Sequence, residues 1–213
     1  MDLACSTGFS SRYIARQIPA SGIGIDLSAA SIDVARANAK REGIEDSFSY
    51  ICMDACDLKD LQGFTHVLAG CNFAFIQDRE QALSEVSRVT HPQSYLCTAN
   101  FHYHRNPPSL LLDQVQESLG WRPNPDWTME YWSTFFGERY EIIHNEVRNL
   151  TVLEDEVLRN KTRSILFEKP GQVEKYGEET LSAIADRFYE VRRPLNDQRA
   201  YQGYSVQVWR KKQ

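Results

Sequence analysis

A chain of 213 residues suits one α/β domain with a well-buried core and an insertion, and is short for two ordinary domains. Its 42% hydrophobic and 25% charged residues exclude a disordered or fibrous class. A net charge of −5 and a pI near 5.6 exclude a broad phosphate-binding surface, because nonspecific nucleic-acid affinity rests on clustered Lys and Arg.

The five cysteines, at 5, 52, 56, 71 and 97, form no CxxC pair and read as reduced thiols. Neither a signal-peptide pattern nor an apolar run of membrane-spanning length is visible. The expected location is therefore cytoplasmic, with no membrane or nucleic-acid partner. The oligomeric state is not legible.

The first two thirds alternate short apolar runs with amphipathic helical patterns, which is the signature of βαβ units and a parallel sheet. A helix is expected over Ser10 to Ile18. Gly22 to Asp26 reads as a buried strand, and Ser28 as the N-cap of a helix whose Ile32, Ala35 and Ala39 share a face before Gly43 ends it. Strands are expected at Phe48 to Cys52, His66 to Gly70 and Tyr95 to Asn100. A helix from about Arg79 buries Ala82, Leu83, Val86 and Val89.

Beyond Asn100, Pro107-Pro108 opens a helix with Leu110, Leu111, Val115 and Leu119 as its apolar positions. A cluster of Trp121, Trp127, Tyr131, Trp132, Phe135 and Phe136 either lines an apolar pocket or packs a helix on the sheet. Tyr140 to Thr151 and Tyr201 to Arg210 read as a late antiparallel pair. The charged stretch between them, Leu153 to Val191, places Leu181, Ile184, Ala185 and Phe188 at helical spacing and is too long for a hairpin connection.

Chemistry concentrates at strand ends. Asp2-Leu3-Ala4-Cys5-Ser6-Thr7-Gly8 leads directly into a helix, so backbone N–H groups and the helix N-terminus approach a nucleotide-like ligand there. Asp26 closes the next strand, with Leu27 after it; Asp54-Ala55 closes the third, and Cys71-Asn72 follows the fourth. This order resembles the class I S-adenosylmethionine-dependent methyltransferases of small-molecule type, whose first motif is commonly Asp/Glu-x-Gly-x-Gly-x-Gly. Asp2 and Gly8 match, whereas Ala4 and Ser6 stand where the family usually has glycine.

The resemblance implies an α/β, Rossmann-like fold with a mostly parallel sheet, helices on both faces, an antiparallel late strand pair and a helical insertion. It implies S-adenosyl-L-methionine as cofactor, with Asp26 on the ribose hydroxyls, Asp54 and Ala55 at the adenine, and Cys71 and Asn72 near the methionine portion. One domain over 1–213 is expected: a cofactor half at 1–100, a substrate-side half at 101–152, a helical lid at 153–191 and the last strand at 192–213. The implied activity is methyl transfer to a small-molecule acceptor by in-line displacement, with no metal. His102 and His104 share a face if their strand continues, and either is a candidate general base.

Only Met1 precedes Asp2, so the sequence predicts a chain that lacks the family's N-terminal segment and first strand and folds poorly as written. Two other readings stay open: a non-catalytic binding protein on the same fold, and a nucleotide-dependent oxidoreductase. The second is disfavoured because a pyrophosphate wants a glycine-rich turn and this one offers only Gly8.

Overall fold

The computed structural model describes every residue from Met1 to Gln213. Seven strands form one sheet in the order β3-β2-β1-β4-β5-β7-β6. Their ranges are β1 Asp2–Leu3, β2 Gly22–Asp26, β3 Phe48–Cys52, β4 Phe64–Ala69, β5 Thr90–Tyr103, β6 Tyr140–Asn149 and β7 Gln202–Lys211. The pairs β2·β3, β1·β2, β1·β4 and β4·β5 are parallel, with Asp2 opposite both Gly24 and Leu68. Leu150 meets Gln202, Asn145 meets Gln207, and Glu141 meets Arg210, so β6 and β7 run antiparallel.

The expected loss of the first strand is corrected: a two-residue strand, β1, lies inside the sheet between β2 and β4. The Met1 amine donates to the His66 carbonyl at 2.7 Å, Leu68 N–H donates to the Met1 carbonyl at 2.8 Å, and Cys5 N–H donates to Ile25 at 2.8 Å. These bonds carry the ladder one step past β1 at each end.

The chain forms two compact units. Unit 1 comprises Met1–Asn100, Trp132–Val147 and Ser205–Gln213; unit 2 comprises Phe101–Tyr131 and Arg148–Tyr204. In unit 1 the helices are α1 Phe9–Gln17, α2 Ala29–Glu42 and α3 Arg79–Val89. Helix α2 begins where the Ser28 side chain accepts from Ser31 N–H at 3.2 Å, and it ends at Gly43 with φ +66°. Its Ile32, Ala35 and Ala39 pack with Phe48, Tyr50 and Cys5. Helix α3 buries the expected Ala82, Leu83, Val86 and Val89.

Strand β5 begins at Thr90, five residues earlier than expected, because no loop separates it from α3. Thr90 Oγ1 donates back to the Val86 carbonyl at 2.9 Å and closes the helix as the strand starts.

Helix α4 spans Ser109–Leu119 and α5 Met129–Gly137. The buried face of α4 is Leu111, Leu112 and Val115; Leu110 and Leu119 are exposed, which corrects the sequence-based face. Both choices have helical spacing, and only the neighbours decide which stripe turns inward. Between β6 and β7 lie α6 Asp155–Phe167, the short α7 Gln172–Tyr176 and α8 Glu178–Gln198. Leu158, Leu181, Ala185 and Tyr189 are buried, while Ile184 is exposed. Asn196 clasps the segment's start, its amide accepting from Leu153 N–H and donating to the Leu153 carbonyl, both at 2.9 Å. No helix is long and apolar enough to cross a membrane.

The aromatic cluster divides. Trp121 stacks on Trp127, and Tyr131 lies tilted 6.5 Å from Trp127, within unit 2. Trp132, Phe135 and Phe136 are core residues of unit 1, where Phe136 lies 5.3 Å from Phe73 and 5.5 Å from Trp209 between ring centroids. Phe136→Ala should lower unfolding free energy by about 3–5 kcal/mol in chemical denaturation, since it removes a fully buried ring with edge and face contacts on several sides.

Candidate functional site

The turn after β1 departs from ordinary backbone at alternate positions. Ala4, Ser6 and Gly8 all have positive φ, at 48°, 49° and 75°. Only at Gly8 is the conformation free of a Cβ penalty. The turn is closed by Gly8 N–H donating to the Cys5 carbonyl at 2.8 Å. A Cβ on Gly8 would lie 2.7 Å from the Tyr50 ring, so glycine is required there for space as well as for φ.

Carboxylates hold this turn in place. Asp2 is buried and accepts from Ser11 N–H at 3.1 Å, tying β1 to the first turn of α1. Burial pushes its carboxyl above the usual carboxylate range, opposed by that hydrogen bond. Asp26 spans the gap to the second strand, one oxygen accepting from Ser6 N–H at 2.8 Å and the other from Ser28 N–H at 2.9 Å. It therefore fixes both the strained turn and the entry to α2.

A cavity of about 1000 Å³ opens beside these groups and is lined wholly by residues of unit 1. Six of the expected cofactor residues line it: Ala4, Asp26, Leu27, Asp54, Ala55 and Asn72. The others do not. Asp2, Cys5 and Gly8 are buried behind the turn, Ser6 is exposed on it, and Cys71 is half-buried beside Asn72. The Cys5 thiol, pushed up to about 12 by burial, stays protonated and fills space against Tyr50.

The lining also includes Met53, Cys56, Phe75, Ile76 and Asp78, which sequence reading did not find. They lie in the irregular segments after β3 and β4, where no periodicity marks a facing. Asp78 had a signal, since it is the N-cap of α3 and accepts from Gln81 N–H at 3.0 Å.

The lining carries three carboxylates, Asp26, Asp54 and Asp78, and no Lys or Arg. Such a cavity favours a cationic ligand and opposes a phosphate. Asp54 uses one oxygen on Cys56 N–H at 2.9 Å. Asn72 donates to the Leu3 carbonyl, and its own Oδ1 is buried without a hydrogen-bond partner, an acceptor held beside the cavity wall.

The two histidines belong to unit 2 and are not among the lining residues. Strand β5 ends at Tyr103, so the face His102 and His104 were expected to share does not continue. His102 is buried with its ring against Gly203, where a Cβ would lie 2.8 Å from Nε2, whereas His104 is exposed.

Residues 1–93 match the family model of a methyltransferase domain. The methyltransferase GfsG of Streptomyces halstedii is 30% identical over 101 residues, and norajmaline N-methyltransferase of Rauvolfia serpentina 28% over 110. These matches cover 47% and 51% of this chain but 36% and 38% of the relatives, so the chain spans little more than a third of their length. Among solved structures the MccD protein is 40% identical, with a TM-score of 0.89, over 99% of this chain and 89% of its own. The (4+2)-cyclase SpnF shares the fold at 20% identity, with a TM-score of 0.73 over 99% of this chain and 74% of its own.

Ser6→Gly should raise stability by up to about 1 kcal/mol, because it relieves a Cβ held at φ +49° while keeping the N–H that Asp26 accepts. Thermal melts of the two forms check this, and a lower melting temperature for the glycine form would contradict the assigned strain.

Proposed function

The chain belongs to the class I S-adenosylmethionine-dependent methyltransferases, a family of enzymes, and on that premise we propose that it passes the cofactor's methyl group to a small-molecule acceptor. The observation that carries the reading is the cavity itself, with three carboxylates, no cationic side chain, and its place at the end of β1 and β2. A sulfonium and an α-ammonium are at home there; a pyrophosphate is not, and this weighs against a nicotinamide cofactor.

When bound, S-adenosylmethionine supplies a methyl group already activated by the positive sulfur. The residues then have to bind, orient and exclude water. Asp26, fixed by two backbone N–H groups, keeps lone pairs for the ribose hydroxyls. Asp54 and Ala55 meet the adenine end. Asn72 lines the methionine end, its Nδ2 held by the Leu3 carbonyl. The backbone of Ala4 forms the floor, where a small side chain leaves room for close approach.

An alcohol or phenol acceptor requires a general base, and neither His102 nor His104, the sequence-based candidates, lines the cavity. The helical segment 153–191, which belongs to unit 2, is assigned to the acceptor and not to the cofactor. Its buried Leu158, Leu181, Ala185 and Tyr189 make excision a poor test, because removing them would unfold unit 2.

Asp26→Ala should weaken S-adenosylhomocysteine binding thirty- to a thousandfold by calorimetry, about 2–4 kcal/mol, with some loss of order in the turn that Asp26 holds. The sulfonium carries three carbons, any of which a nucleophile can attack, so turnover is best followed by product. Release of S-adenosylhomocysteine supports methyl transfer; release of methylthioadenosine would mean that the aminocarboxypropyl group moves instead; cofactor binding with neither product points to a non-catalytic protein on this fold.

Hydrogen exchange tests the lid. Amides of 155–191 should gain protection when acceptor is added to the S-adenosylhomocysteine complex and little when S-adenosylhomocysteine is added alone. Equal protection from the cofactor product alone would assign the segment to the cofactor site.

A further inference from the structure

Strand β6 ends the sheet, paired only with β7. Such an edge presents a row of backbone donors and acceptors, and natural proteins usually blunt it with Lys, Pro, a bulge or a covering element. Strand β6 lacks the strongest sequence devices: over Tyr140–Asn149 it reads YEIIHNEVRN, without Lys or Pro, and its charged residues are Glu141, Glu146 and Arg148. Nor is it covered. Residues on both faces of the strand are exposed, including Ile142 at 44%, Ile143 at 49% and Val147 at 46%. Three exposed aliphatic residues within six positions of an open ten-residue edge are what a strand partner would bury.

We propose that the partner is a second copy of this chain, joined β6 to β6 in antiparallel register about a two-fold axis at Asn145. The sequence of the strand selects this occupant. An axis perpendicular to the sheet keeps each side chain on its own face, so residues at equal distance before and after the axis oppose one another. With the axis at Asn145, Ile143 faces Val147 of the second copy twice over. His144 faces Glu146 twice, imidazole against carboxylate, Ile142 faces Arg148 twice, and the two Asn145 amides meet, each with Nδ2 donors and an Oδ1 that also accepts from Gln207 of its own chain at 3.2 Å. Moving the axis to His144 sets imidazole against imidazole, and moving it to Glu146 sets two carboxylates together. The self-complementary register joins the two seven-stranded sheets into one of fourteen and leaves each cavity, which β6 does not line, in its own copy.

Light scattering on the full chain at tens of micromolar should give twice the 24.5 kDa chain mass. Ile143→Lys puts a charge on the paired edge at a residue that is half exposed in one copy. It should weaken dimerisation at least tenfold and leave the melt of the single chain unchanged. Asn145→Cys supplies an independent reading, because directly opposed positions on antiparallel strands bring Cβ atoms to about 4.5–5.5 Å. With a mild disulfide oxidant it should yield far more covalent dimer than the chain without that substitution, and the gain should vanish when Ile143→Lys is added. A monomeric chain at that concentration, an undiminished dimer for Ile143→Lys, or no gain in cross-linking from Asn145→Cys would each overturn the proposal.

Discussion

Two residues, Asp2 and Leu3, lie between β2 and β4 inside a seven-stranded sheet, and the rest of unit 1 is arranged around the bonds they make. On one side they pair with Gly24 and Ile25 and on the other Asp2 pairs with Leu68, so the halves β2-β3 and β4-β5 meet through them. The strand is too short to hold by its ladder alone. It is reinforced by Met1 against His66 and Leu68, by Cys5 against Ile25, and by the buried carboxylate of Asp2, which takes the Ser11 N–H at the start of α1. The side chain that begins the recognition motif is thus first a fastening between strand and helix, and its place behind the cavity wall follows from that duty.

The same economy of parts governs the turn that follows. Its left-handed positions fall at Ala4, Ser6 and Gly8, the three places where the family commonly has glycine. Two of them carry a Cβ at a cost of about 1–2 kcal/mol each. The turn keeps its shape because both of its flanks are held: Asp26 accepts Ser6 N–H in front, and Tyr50 closes on Gly8 behind. Strain that persists under such bracing is characteristic of a segment whose backbone must be presented to a ligand. The carboxylate that braces the turn also faces the cavity, which couples the shape of the site to its negative charge.

Fold alone does not decide chemistry on such a scaffold. The likeness to SpnF, a cyclase, at 20% identity illustrates this. What distinguishes the present site is the lining, three carboxylates beside an apolar wall that includes Met53, Phe75 and Ile76. Unit 2, by contrast, is built from α4, α6 and α8 with interleaved Leu, Ala and Tyr. Its surface is where a chain of this type can vary without disturbing the carboxylates.

The sequence by itself determined the parallel βαβ half. Strands β2 and β3 and the buried faces of α2 and α3 emerge where read, because two-sided burial and helical period are local properties of the chain. It also determined Asp26, Asp54, Ala55 and Asn72 as cavity residues, since strand ends in a parallel sheet point to one side. Only the tertiary structure decided which stripe of α4 turns inward, that Asp2 and Leu3 form a strand, and that Met53, Phe75, Ile76 and Asp78 join the cavity. It likewise separated Trp132, Phe135 and Phe136, which are core, from Trp121, Trp127 and Tyr131. Each of these depends on neighbours distant in sequence: a short strand is held by bonds from both sides, and an irregular loop faces wherever the elements flanking it leave room.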